Sequence, residues 1–247
     1  MLHTKLFRAV IAVALVFICS CSPFRYDMVL VDGGEFVVGS CDADADADES
    51  PMRIIGVRSF YLSAYEVTQE QWRAVMRDDP SFFSGDNRPV ENVSWFEVQE
   101  FISKLNERTG RSYRLPTELE WEYAARGGKY NKPFRYSGSD DYRKVAWNKD
   151  TSTTGTFDVG ELKPNILGLY DMTGNVHEWC SNCYDSTLYA SKNLAVVVTQ
   201  EPTGEITVKG GSWLSDTTHL RIANRNHVSP HTKNVSLGFR LAMDVER

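Results

Sequence analysis

From Gly128 to the C-terminus, Gly, Asn, Asp, Pro and aromatic side chains follow one another with few long periodic runs. Backbone of that kind cannot satisfy its amides and carbonyls in long ladders. It has to be held by tryptophan packing, side-chain hydrogen bonds or metals.

Regular structure is written mainly ahead of that stretch. Thr68-Gln-Glu-Gln71, Ser94-Trp-Phe-Glu97 and Thr117-Glu-Leu-Glu120 each put a hydroxyl three residues before Glu or Gln. Such pairs satisfy the orphan amides of a first helical turn, so three helices are expected. In the second, Val98, Phe101, Ile102 and Leu105 form one apolar stripe and Gly110 is a stop signal. The third is expected from about Thr117 to Arg126, ending at Gly127-Gly128. Met28 to Gly39 reads as two short strands around the Gly33-Gly34 turn. Asp42 to Glu49 alternates Asp with Ala. A helix-loop-helix calcium loop needs Gly sixth and Glu twelfth, where this chain has Ala47 and Arg53, so a solvated acidic loop is expected.

Charge narrows the function classes. The chain has 27 Lys+Arg against 33 Asp+Glu, a net charge of −6. Without a basic excess to neutralise phosphates, the balance argues against a non-specific binder of nucleic acid, and no nucleic-acid partner is expected. The 247 residues, 42% of them hydrophobic, suit one large domain, placed from residue 26 to 244.

Lys5 and Arg8 precede an apolar run from Ala9 to Ile18, followed by Cys19-Ser20-Cys21 and Ser22-Pro23. The run is too short for a mature membrane span and reads as a signal peptide. Ile18-Cys19-Ser20-Cys21 resembles a bacterial lipobox. The expectation is a signal peptide over residues 1–20, lipidation at Cys21, a tether over 21–25, and a lipid-anchored protein of the bacterial envelope, at the outer membrane or in the periplasm. Cys19 is atypical in that motif, and ordinary signal cleavage nearby is the rival.

Several stretches, in order, resemble the formylglycine-generating enzyme, or sulfatase-modifying factor, domain family. They include Gly33-Gly34-Glu35-Phe36, Pro89-Val90-Glu91-Asn92-Val93-Ser94-Trp95, Tyr113-Arg114-Leu115-Pro116-Thr117, Gly174-Asn175-Val176-His177-Glu178-Trp179, Lys209-Gly210-Gly211-Ser212-Trp213 and Gly238-Phe239-Arg240. The resemblance implies a single-domain, mixed α+β fold related to C-type lectins, with much irregular structure. It also implies oxidation of a sulfatase cysteine to formylglycine by a copper(I) ion on two thiolates. Here the two cysteine positions fall on Ser215 and Leu220, and no cysteine lies between Gly210 and Arg240. Copper(I) is soft and held by thiolates, and neither a hydroxyl nor an alkyl group substitutes. Copper and catalysis are therefore not expected, although Ser212 matches an active-site serine. His177 stands where the enzymes carry tryptophan.

The resemblance carries calcium over to Asp171, Gly174, Val176 and Glu178, two carboxylates and two carbonyls for a hard cation. A second family calcium site, drawing on Asn148, loses its carboxylate near Thr151. His177, Cys180 and Cys183 stand at H-x-x-C-x-x-C spacing, open to a metal site, but a local disulfide between Cys180 and Cys183, or two buried thiols, is the plainer reading. Cys41 is left over. The family's peptide groove corresponds to His177, Ser212, Trp213, His219, Arg221 and Arg225, with Arg221 and Arg225 matching family positions expected to be mostly structural, bonding irregular carbonyls. The combined expectation is an envelope lipoprotein whose domain binds a protein, peptide or glycan. The formylglycine-generating oxidase is the alternative, and an iron-dependent sulfoxide synthase, which would need a helical bundle with a three-histidine motif, is a distant third.

Overall fold

The computed structural model describes residues 26–191 and 201–246. The expected signal peptide, Cys21 and the tether lie outside the described residues.

Strands β1 (Met28–Val31) and β2 (Gly34–Val38) flank Gly33, as the sequence suggests, but they do not pair with each other. β2 pairs with β3 (Arg53–Val57), and β1 pairs with β4 (Phe60–Ser63), both antiparallel. Close approach explains the difference. A Cβ on Gly33 would lie 2.7 Å from the Val57 carbonyl and 2.8 Å from the Ser59 amide, so both crossings between sheets share one corner that only glycine fits.

All three expected helices form where their caps stand. Thr68, Ser94 and Thr117 each accept from the amide three residues on, with the reciprocal Gln or Glu side chain in place. They open α1 (Gln69–Met76), α2 (Trp95–Thr109) and α3 (Glu118–Ala125). α2 ends on Gly110 at φ 67°, and its buried face is Trp95, Val98, Phe101, Ile102 and Leu105. Trp72 of α1 stacks on Phe101 with ring centroids 5.1 Å apart, fastening the two helices together.

Strand β5 (Tyr113–Arg114) lies between α2 and α3, and β6 (His177–Cys183) ends the first irregular stretch. β7 (Ile206–Lys209), β8 (Asn226–Val228), β9 (Leu237–Gly238) and β10 (Ala242–Asp244) complete the order. One sheet runs β1-β4-β10-β5, another β8-β7-β6-β9, and β2-β3 form a separate ribbon. Trp72, Trp95 and Trp179 lie in one core cluster and Trp121 in a second with Leu62 and Tyr189.

Side-chain hydrogen bonds hold the irregular half. Asn165 donates to the Ala124 carbonyl and accepts from the amides of Leu167 and Leu169. Asn175 accepts from the Phe157 amide and donates to Glu66. Buried ion pairs do the rest: Glu178 with Arg240, Glu118 with Arg225, Glu49 with Arg221, and Glu122 with Lys209 and Arg126. The Asp42–Glu49 segment is largely exposed, as expected of a solvated loop, but is clamped at several points. Glu49 is fully buried against Arg221, Asp44 pairs with Arg135, and Asp48 accepts from the Tyr184 hydroxyl.

Candidate binding site

The Gly210–Leu220 loop is built by its two glycines. Gly210 and Gly211 have φ of 91° and 72°, and a Cβ on Gly211 would meet Leu220 Cδ2 at 2.8 Å and the His219 carbonyl at 2.9 Å. Loop hydrogen bonds then fix it: the Trp213 amide donates to the Asn175 carbonyl, and the Ser212 amide donates to Ser215 Oγ at 3.0 Å. Leu220 is fully buried beside Tyr136, Val145 and Ala146. The side chains at the two thiol positions are therefore a hydroxyl used in a turn and a core methyl group. They do not fit copper(I).

At the mouth of the loop His219 Nδ1 lies 2.8 Å from Asp216 Oδ1, while the Thr218 amide donates to the same oxygen. The Thr218 hydroxyl and the His219 contacts hold the Asp216 carboxyl well below the usual carboxylate range. His177 lies behind this loop. Its amide donates to the Ser236 carbonyl, and its Nδ1 is shielded without a partner. Burial, aided by the nearby His219, lowers its pKa to about 4, so the ring is neutral at neutral pH. His177 borders a cavity of about 180 Å³ whose polar lining is uncharged, with Asn226, Thr232, Asn234 and Ser236.

Trp213 opens a second feature that the sequence reading missed. Its ring meets Phe83 edge-on at 5.4 Å, and Phe83 meets Phe82 edge-on at 5.0 Å. Phe82 is 73% exposed, and Leu214 is also exposed. Fully buried polar groups fix this aromatic loop. Glu91 Oε1 accepts from the amides of both Phe82 and Phe83, while Gln69 donates to the Phe83 carbonyl and accepts from the Gly85 amide. Burial pushes the Glu91 carboxyl up to about 7. The available signal was Phe82-Phe83 between Pro80 and Gly85, a non-periodic aromatic pair in turn-rich sequence.

Of the six expected groove residues, Trp213 and His219 reach the surface of this loop, Ser212 is buried within it and His177 borders the cavity beside Asn234 and Ser236, whereas Arg221 and Arg225 do not serve it. Arg221 is buried on Glu49. Arg225 is buried on Glu118, with its guanidinium over the rings of Tyr184 and Tyr189. Both are structural.

Of the two readings for Cys180 and Cys183, the structure carries the thiols: both are free, three positions apart on one strand that bulges between Trp179 and Cys183. Cys180 packs in the cluster with Trp121, whereas Cys183 packs against the cluster with Trp179. Strand alternation also separates Cys180 from His177. Among the described residues no group of three or more His, Cys, Asp or Glu is placed to hold a metal.

The calcium set does not fit its expected role as it stands. Arg240 donates to both oxygens of Glu178, at 2.6 and 2.7 Å, and Trp121 Nε1 donates at 2.7 Å. Asp171 accepts from the Gly160 amide at 2.7 Å, and burial raises its pKa to about 6. No partnerless buried side-chain oxygen belongs to either residue. At the other family site the Thr151 hydroxyl bonds directly to Asn148 Oδ1 at 2.9 Å.

Comparison with known proteins agrees with this architecture. A family model described as sulfatase-modifying factor enzyme 1-like domain matches residues 22–245. The chain is 32% identical to a protein named chaperone protein LppX of Paenibacillus barcinonensis, covering 88% of this chain and 90% of that one. It is 31% identical to serine/threonine-protein kinase Pkn1 of Chlamydia trachomatis serovar L2, covering 91% of this chain but only 39% of the kinase. Formylglycine-generating enzyme of Thermomonospora curvata is 27% identical, with 88% and 93% covered. Among solved structures, Treponema denticola variable protein 1 superposes with a TM-score of 0.75 at 27% identity, covering 88% of this chain and 95% of that one. PvdO from Pseudomonas aeruginosa gives 0.77 at 26%, covering 88% and 94%. The chain belongs to the sulfatase-modifying factor enzyme 1-like family, with a hydroxyl and an alkyl side chain in the loop where the family resemblance implies thiolates.

Proposed function

We propose that this protein is a non-catalytic binding module of the bacterial envelope, held by lipid at Cys21, which takes a protein, peptide or glycan on the face of Trp213, Leu214 and Phe82. One observation carries the reading. The loop at the former thiol positions is internally satisfied through Ser212, Ser215 and Leu220, while the aromatic group beside it is exposed yet fixed by the buried Glu91 and Gln69. Rigid, exposed aromatic side chains give contact area at little entropic cost. The neutral, hydrogen-bonding His177 cavity suits an uncharged polar group of the same partner. Two relatives, named as a chaperone protein and a kinase, support use of the domain in settings other than cysteine oxidation.

The test is site-specific photo-crosslinking in cells of the native host, with benzoylphenylalanine at Phe82 or Leu214 and, as control, at Lys104 on α2. Discrete adducts from the first two positions and none from Lys104 are expected. No adduct from either patch position, with the protein present at normal level, counts against the reading.

A further inference from the structure

The cavity beside His177 is laid across all four strands of one sheet. Asn226 and Val228 share a face of β8, Val208 on β7 stands opposite Asn226, and Leu237 on β9 stands opposite His177 on β6. Thr232, Asn234 and Ser236 close it from the connection between β8 and β9. Its lining has two chemistries. Val208, Val228 and Leu237 are apolar, and every other lining side chain is polar and uncharged at neutral pH.

The two carboxamides are fixed as donors. Asn226 Oδ1 accepts from the His227 amide at 2.7 Å, and Asn234 Oδ1 accepts from the amide and the hydroxyl of Ser236 at 3.0 and 2.9 Å. Each spends its oxygen locally, so each Nδ2 group is left for an incoming acceptor, and the Thr232 hydroxyl adds a third donor. His177 Nδ1 at the wall has no partner either. A buried ring nitrogen left unpaired beside a cavity points to an occupant.

The lining selects among occupants. A carboxylate, phosphate or ammonium would lose its hydration here with no counter-charge in exchange. A sugar hydroxyl alone would leave the three apolar side chains without contact. A peptide glutamine or asparagine would turn the NH2 end of its side chain towards them. An acetamido group suits both chemistries, with a methyl for Val208, Val228 and Leu237 and a carbonyl for the Asn and Thr donors. The cavity of about 180 Å³ has the room of about six waters, enough for that group with its sugar ring outside. Trp213 stands where the ring would lie. Its Nε1 donates at 3.2 Å to the carbonyl of Val235, between the lining residues Asn234 and Ser236, and its half-buried indole offers a flat surface to the apolar face of a pyranose.

We propose that the partner of this face is a glycan, and that the His177 cavity receives the acetamido group of an N-acetylhexosamine whose ring lies against Trp213. The inference rests on the reading of the Trp213 face as a binding surface and narrows that reading to one class of ligand.

Methyl glycosides of N-acetylglucosamine and N-acetylgalactosamine are the probes, with methyl glucoside as the control, each titrated into the whole isotope-labelled protein and followed by NMR. Saturable shifts are expected for the acetylated sugars at the side-chain amides of Asn226 and Asn234 and at the Trp213 indole N–H. Methyl glucoside should bind at least about tenfold more weakly. Asn234→Asp keeps the oxygen that Ser236 uses and loses the donor, so it should weaken the acetylated sugars at least about tenfold while the melting temperature stays within a few degrees. The proposal is overturned by no saturable shift at millimolar sugar, by equal affinity for methyl glucoside, or by indifference to Asn234→Asp. Crosslinks at Phe82 or Leu214 made only to unglycosylated protein would keep the binding face and overturn its assignment to a glycan, whereas the absence of any crosslink would remove the face itself.

Discussion

Arg240→Met is the sharpest stability test, because Arg240 sits fully buried in an ion pair with Glu178. Its guanidinium donates twice to Glu178, to the Tyr170 carbonyl at 2.8 Å and to the Ser63 carbonyl at 3.1 Å. Glu66 and Asp171 feel the same charge, and burial together with Asp171 and Glu178 already raises Glu66 well above an ordinary carboxyl. Methionine fills much of the volume but leaves Glu178 buried without its cation. Removing one partner of such a pair costs about 3–5 kcal/mol. For a domain of this size that is a fall of roughly 6–20 °C in melting temperature. Urea unfolding followed by tryptophan fluorescence measures it. Adding Glu178→Gln removes the orphaned charge, so the double variant should be more stable than the sum of the two single losses predicts. A loss under about 1 kcal/mol, or strict additivity with Glu178→Gln, would refute the reasoning.

Glu91 gives a pH signature. With its folded pKa near 7, the native state keeps a proton that the unfolded chain has lost, so this contribution to stability falls as pH rises towards neutrality. Glu91→Gln should flatten the decline in stability between pH 5 and 7, and an unchanged slope in urea titrations contradicts the assignment. For the thiols, Cys41 should alkylate readily in the folded protein, while Cys180 reacts only on unfolding, since burial raises its pKa. Mass spectrometry of the non-reduced, unfolded chain should show Cys180 and Cys183 both modified, and a pair missing two labels would mean a disulfide after all. Chelation with EDTA should leave the melting temperature unchanged, because Arg240 rather than a calcium ion neutralises Glu178. A fall that added calcium reverses would return the ion to Asp171.

The parts legible in the sequence were those with local causes. Capping boxes at Thr68, Ser94 and Thr117, and the stop at Gly110, act within one or two turns, and the helices appear there. The loop at Ser215 was legible for a different reason: the absence of cysteine between Gly210 and Arg240 holds whatever the register. Long-range pairing was not legible. Nothing near Glu49 announces Arg221, 172 positions away, so the buried ion pair that clamps the otherwise exposed Asp-Ala segment is not legible in it. Spacing alone does not decide between a disulfide and two thiols at Cys180 and Cys183, because the two side chains join different clusters only once the strand has formed. Phe82 and Phe83 escaped because their placement rests on Glu91 and Gln69 from other segments, which no periodicity marks.

The family fold is present here without thiols at the two loop positions, Ser215 and Leu220. Incubating the purified protein with copper(I), oxygen and a Cys-x-Pro-x-Arg peptide, then reading the peptide mass, tests whether the redox chemistry went with them. An unchanged cysteine is expected, with the Thermomonospora curvata enzyme as the active control. Conversion of that cysteine to formylglycine by this protein would contradict it.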